Sequence, residues 1–176
     1  MSKIMLPNVR LSFPSLFHKA VFDGKETKFE ATLLINKSAQ DDKVDEVKAA
    51  INEMIREAFK TPPEKFPADK RCLKDGDGID YAGYDGHMSL KASSSKRPMV
   101  LNRDKTPLTE DDNKLYAGCY VNAIIELWAQ NNQFGKRINA NLLGVQFFKD
   151  GEPFADGVTA SASDFEAFKD EDFDFM

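Results

Sequence analysis

The chain reads as a mainly β domain, a small antiparallel barrel with one clear helix, followed by a flexible acidic tail. Three observations predict this: repeated runs of two-residue hydrophobic alternation, a single stretch of helical periodicity, and a terminal segment that holds the whole charge deficit. Asp164 to Met176 carries six acids, one lysine and four phenylalanines, and without it residues 1–163 are formally neutral, against −5 for the full chain. Repelling carboxylates with little to bury do not offset the entropy of ordering, so this segment is expected to be disordered. Solubility alone asks for no aromatics. A peptide that docks through charge and ring contact does.

The elements follow in order. Val9, Leu11 and Phe13 alternate with Arg10 and Ser12 until Pro14 breaks the run, and Phe29, Ala31, Leu33 and Ile35 alternate with Lys28, Glu30, Thr32 and Leu34; both patterns predict half-buried strands. Ser38 and Asp41 resemble a capping box, and Val44, Val47, Ile51, Met54, Ile55 and Ala58 then share one helical face that ends before Pro62 and Pro63. From Thr61 to Gly86 the composition turns to Pro, Gly, Lys and Asp, which predicts a long loop. Met88, Leu90 and Ala92 resume the two-residue period. The longest strand signal puts Val121, Ala123, Ile125, Leu127 and Ala129 inside and Tyr120, Asn122, Ile124, Glu126 and Trp128 outside. After a turn over Asn131 to Gly135, a partner strand runs from Lys136 to Phe148, its phase slipping between Leu142 and Leu143, where Gly144 allows a bulge. Five or more strands with one helix hide their edges best as a barrel.

The bulk numbers bound the rest. With 176 residues, 41% hydrophobic and 30% charged, the chain suits one globular domain, 1–154, with the tail at 155–176. No apolar run approaches the about 20 residues of a membrane span, and the N-terminus lacks a signal-peptide pattern, so a cytoplasmic location is expected. Cys72 and Cys119 lie far apart and read as free thiols. Because the body is neutral, a polyanion has to be met by a local basic groove.

Two basic clusters suggest such a groove. One holds Lys60, Lys65, Lys70, Arg71 and Lys74; the other holds Lys91, Lys96, Arg97, Arg103 and Lys105; Lys136 and Arg137 add a third at the hairpin tip. Aromatics lie among them. Cations that follow phosphates and rings that stack bases are what a single-stranded nucleic acid requires, at about 1–3 kcal/mol per stacked base. The candidate phosphate contacts are Lys91, Lys96, Arg97, Arg103, Lys136 and Arg137, and the candidate stacking faces are Tyr81, Tyr84, Tyr120, Trp128 and Phe134. Phe66 and Tyr116 fit a core position equally well. Glu126, outside among these rings, argues mildly against the groove and suits a lysine partner on a neighbouring strand.

Other chemistries find less support. His18, Cys72, His87 and Cys119 lack the close pair spacings of a zinc site. The Asp75-Gly76-Asp77-Gly78-Ile79-Asp80 run fails as an EF-hand, with Asp80 where glycine is needed and Gly86 where glutamate is needed. An acidic turn accounts for it better. Asp75, Asp77, Asp80 and Asp85 near His87 leave one alternative open, a metal-dependent nuclease. A third reading is a scaffold protein whose tail is its only binding element. No cofactor is called for.

The strings NVRLSFPSLF, KFEATLLINKS, DGDGIDYAGYDGHMSLKASSSKRPMVLNRD, LYAGCYVNAIIELWAQNN and FFKDGEPF, in order from Asn8 to Phe154, resemble a tailed-phage family of single-stranded DNA-binding proteins. The resemblance implies an OB-fold barrel, sequence-independent binding of single strands, no enzymatic step, and a role in phage DNA replication or recombination in the host cytoplasm. It also implies that the tail meets phage or host replication proteins through an aromatic near its end. Asp170, Glu171, Asp172, Phe173, Asp174 and Phe175 occupy that place, with Met176 after them rather than a terminal phenylalanine. No membrane partner is expected. Outward apolar residues such as Leu34 and Ile124 are compatible with a homodimer.

Overall fold

A computed structural model describes residues 3–154 and 165–167. The elements run β1 (Lys3–Ser15), β2 (Val21–Phe22), β3 (Lys25–Glu26), β4 (Phe29–Asn36), α1 (Asp41–Phe59), β5 (Leu73–Asp75), β6 (His87–Ser94), β7 (Met99–Leu101), β8 (Tyr120–Asn132) and β9 (Gly135–Lys149). The candidate tail contacts Asp170 to Phe175 lie outside the described residues.

Five strands lie side by side in the order β6-β4-β1-β8-β9, each antiparallel to the next. Ser93 of β6 then pairs in parallel with Asn141 of β9 and closes the ribbon into a barrel. Closure removes the two edges that an open sheet of this kind would expose. β5 extends the sheet beside β6, and β7 extends it in parallel beside β9. The interior is filled by expected alternating residues, among them Leu11, Leu33, Ile35, Leu90 and Ile125, together with Leu6 and Leu142, each at most 1% exposed. Helix α1 lies between β4 and β6 in the chain and turns Val44, Val47, Ile51, Ile55 and Phe59 onto that core. Phe59 takes the buried place expected for Ala58, which faces solvent.

Three local expectations are corrected. The helix has no side-chain cap; instead the Asn36 carboxamide oxygen accepts from the backbone N–H groups of Ser38 and Ala39, which turns the chain before the helix begins. Pro14 does not end the first strand, because the ladder with β4 bulges between Ser12 and Ser15, where a missing N–H costs nothing. That bulge reverses the phase: Ser12 is buried and Phe13, at φ 46°, is turned outward. Leu34 is 1% exposed, so it offers no surface to a second copy, whereas Ile124 does stand outside.

The β8–β9 hairpin is longer than its alternation suggested, since pairing continues to Asn132 opposite Gly135 and leaves only Gln133 and Phe134 in the turn. Gly135 sits at φ 103°, a conformation that favours glycine. The expected slip appears where Ile124 faces Gly144 but Ile125 faces Leu142, with Leu143 as the extra residue. Lys3 stands opposite Glu126 on the neighbouring strand. Both cysteines are free, and burial pushes the Cys72 thiol up to about 11.

Truncating Leu33, fully buried in β4, should cost about 3 kcal/mol. Denaturant unfolding of Leu33→Ala checks this: the midpoint should fall and the slope should stay unchanged.

Candidate nucleic-acid interface

Alternation decides what each strand offers to the outside of the barrel. On β6, Met88, Leu90 and Ala92 point inward, which leaves Lys91 and Ser93 on the outer surface beside Thr32 of β4. On the hairpin, inward Leu127 and Ile138 leave Trp128, Gln130, Arg137 and Asn139 outward, with Trp128 opposite Asn139 and Gln130 opposite Arg137. The distal half of the hairpin is tied to the segment before β5, where Arg71 pairs with Ile138 and the Cys72 N–H donates to the Ile138 carbonyl at 2.9 Å. Between these two surfaces lies a cavity of about 440 Å³ lined by Lys28, Arg71, Lys74, Lys91, Arg137, Tyr81, Tyr84 and Trp128 together with small polar side chains.

Of the eleven residues proposed from sequence, Lys91, Arg137, Tyr81, Tyr84 and Trp128 share this groove. Phe134, 74% exposed, and Lys136, whose ammonium lies 5.6 Å from the Phe59 ring, stand at the tip of the hairpin that forms one wall. Neither of these two lines the groove itself, and nor do the other four. Arg97 donates to the Phe17 carbonyl at 3.0 Å and sits over Phe29, Lys96 is in the exposed turn before β7, and Arg103 lies over Phe148. Tyr120 is held between the Arg10 guanidinium and the Lys149 ammonium at the far end of β9. Proximity in sequence joined the second basic cluster, but the turn after Ser94 carries its later members away from the wall that holds Lys91.

Side chains that line the groove differ in how freely they meet a ligand. Lys91 is 3.4 Å from Glu30 yet its side chain is 68% exposed. Arg137 spends one N–H on the Asp69 carbonyl at 3.3 Å. Arg71 is committed to the scaffold, donating to Asn52 at 2.9 Å and to the Pro63 and Phe66 carbonyls. Tyr84 is 4% exposed with its hydroxyl on Ser12 at 3.0 Å, so its ring is floor rather than platform. Tyr81, 58% exposed and 5.4 Å from Tyr84, is the ring that reaches solvent. Lys28 and Lys74 complete the cationic rim. Lys74 belongs to the first basic cluster, and Lys28 was legible as the outward neighbour of Phe29.

The loop that carries Tyr81 is held by a clasp. Lys37 binds Asp75 at 2.5 Å and Asp77 at 2.8 Å, Asp77 accepts the Gly86 N–H at 2.7 Å, and Gly76 N–H donates to the His87 carbonyl at 2.8 Å. Hydrogen bonds from Lys37 hold both carboxyls below their ordinary value and raise the lysine above its own. This corrects the nuclease reading, because two of its four acids are consumed by one ammonium. Among the described residues no three His, Cys, Asp or Glu side chains are grouped to hold a metal.

A closed five-strand barrel with a cationic, ring-bearing groove on its outer wall is a nucleic-acid-binding architecture. The family model described as Enterobacter phage Enc34, ssDNA-binding protein, matches residues 2–176, and the chain belongs to that family. Protein p50 of Acyrthosiphon pisum secondary endosymbiont phage 1 is 42% identical over 93% of this chain and 92% of its own length. The single-stranded DNA-binding protein of bacteriophage Enc34, solved in complex with single-stranded DNA, superposes with a TM-score of 0.76 at 35% identity, over 87% of this chain and 89% of that one. The gp2.5 single-stranded DNA-binding protein of bacteriophage T7, at 16% identity and a TM-score of 0.55 over 92% of this chain and 99% of that one, shares the fold.

The clasp has a defined pH window. Lowered carboxyl values mean that its contribution is complete above 3.8 and is lost as pH falls through the depressed values; the raised lysine value means that it is complete below 10.5 and is lost as pH rises beyond it. Lys37→Met should therefore raise amide exchange in 76–86 at neutral pH, and should reduce the parent's acid-triggered loosening of that loop to the part carried by the Asp77–Gly86 hydrogen bond.

Proposed function

We propose that the chain binds single-stranded DNA without regard to base sequence, with phosphates following Lys28, Lys74, Lys91 and Arg137 and bases stacking on Trp128 and Tyr81. The observation that carries this reading is the meeting of those cations and rings in one groove on a body that is formally neutral as a whole. A neutral surface supplies no general attraction, so the local rim has to supply it. The solved Enc34 complex supports the same ligand class. Binding makes and breaks no bond. The protein acts in phage DNA replication or recombination by coating exposed strands.

The acidic tail is a second part of the proposal. The described body ends beside the groove loop: Arg10 donates to the Gly118 and Glu152 carbonyls and lies 4.2 Å from the Phe154 ring, and a Cβ at Gly83 would strike that ring. Gly83 is two residues from Tyr81. A polyanion tethered there has a high effective concentration at the cationic rim. The tail competes with DNA for the groove, and its displacement frees Asp170 to Phe175 for replication or recombination proteins.

Oligo-dT titration should quench the emission of Trp128, the single tryptophan, to saturation. Binding should weaken steeply with salt, and Arg137→Ala should reduce the slope of log K against log salt by about 0.7. A slope lowered by Arg103→Ala but not by Arg137→Ala would move the strand to the other face. Deleting Asp164 to Met176 should tighten binding at low salt and abolish partner recruitment; unchanged affinity would remove the competitive role.

A further inference from the structure

Phe13 occupies the left-handed region at φ 46°, where a bulky side chain is a rare and costly resident. Continued alternation would have buried its ring and exposed Ser12; the bulge does the reverse, leaving Phe13 45% exposed and Ser12 2% exposed. The fold gains the Ser12–Tyr84 hydroxyl contact from this reversal. A phenyl ring at position 13 adds only one edge contact, to Tyr81, whereas asparagine or glycine would accept the same backbone with less strain. The ring therefore needs another reason.

Its surroundings supply one. Phe13 meets Tyr81 edge-on, with centroids 5.0 Å apart and planes at 72°. A second cavity, of about 400 Å³, lies beside the first and is lined by Phe13, Pro14, Val21, Tyr81 and Phe154. Tyr81 belongs to both cavities. The β2–β3 hairpin flanks the second cavity with Val21 67% and Phe22 76% exposed, and exposed Lys25 and Lys28 stand on or just after that hairpin, Lys28 also lining the groove.

We infer that Phe13 and Tyr81 form a second stacking station, which takes the next bases of a DNA single strand as it leaves the Trp128 end of the groove. The inference rests on the proposed single-strand binding and extends its footprint past Tyr81 toward the β2–β3 hairpin. Rings without a donor and acceptor pattern stack any base, so the station adds length-dependent affinity and no sequence preference.

Phe13→Asn removes the ring and keeps the left-handed backbone; Phe13→Gly is the second variant should the first fold poorly. Both are titrated with oligo-dT of increasing length while Trp128 emission reports occupancy of the groove. The variants should melt near the parent's temperature, since relief of backbone strain offsets the lost Tyr81 contact, bind the shortest saturating oligonucleotide as the parent does, and lose roughly five- to 150-fold in affinity for longer strands. Equal affinity at every length would overturn the station while leaving the groove intact. Tighter binding by the variants would overturn it too, because the cavity would then hold the chain's own segment after Phe154. A parent whose Trp128 emission ignores every oligonucleotide would refute the groove, and the station with it.

Discussion

One parallel contact, Ser93 of β6 on Asn141 of β9, determines whether this chain has a site at all. Its two strands stand at opposite ends of the antiparallel run β6-β4-β1-β8-β9. Left open, that run would carry Lys91 on one margin and Trp128 with Arg137 toward the other. Closure brings them together as the lining of one groove. The Arg71–Ile138 bridge and the Cys72–Ile138 hydrogen bond then tie the hairpin to the segment before β5. Arg71 is thus placed by the scaffold for the scaffold, although it also lines the groove.

Charge acts within that frame rather than creating it. A formally neutral body attracts DNA only through local excess, and the rim concentrates lysine and arginine while the Lys37 clasp keeps nearby aspartates occupied. An unclasped Asp75 and Asp77 would repel phosphates on the path proposed past Lys74. The clasp also holds the loop that carries Tyr81, so one ammonium both offsets part of the acids' charge and helps position a ring. Electrostatics and aromatic presentation are coupled in the loop from Asp75 to Gly86, and the end of the described body, at Phe154, is seated against it.

Much of this was legible from side-chain period alone. The inward set of β8, the hairpin with its slip before Gly144, the single helix and the outward setting of Trp128 all follow from which positions must avoid water. The features that escaped are those fixed by partners distant in sequence. Nothing local to Ser12 and Phe13 announces that a bulge will exchange their faces, and nothing local to Leu34 says that an outward position will be covered. Basic residues were the hardest to sort. Lys91 and Arg97 are six apart in the chain, yet a strand end and a turn send them to different sides, and charge density along a sequence carries no record of that turn. The aspartate run by itself suggests a turn or a metal cluster, because its counterion, Lys37, lies before the helix.

The central claim is that single-stranded DNA lies between β6 and the β8–β9 hairpin, touching Trp128 and Tyr81. Photocrosslinking of the full chain to an oligonucleotide carrying 5-iododeoxyuridine, with the attachment sites mapped by mass spectrometry, tests it most directly. Attachment at Trp128 and Tyr81 is the predicted result. Attachment confined to the surface that carries Lys96, Arg97 and Arg103, with neither ring labelled, would contradict it.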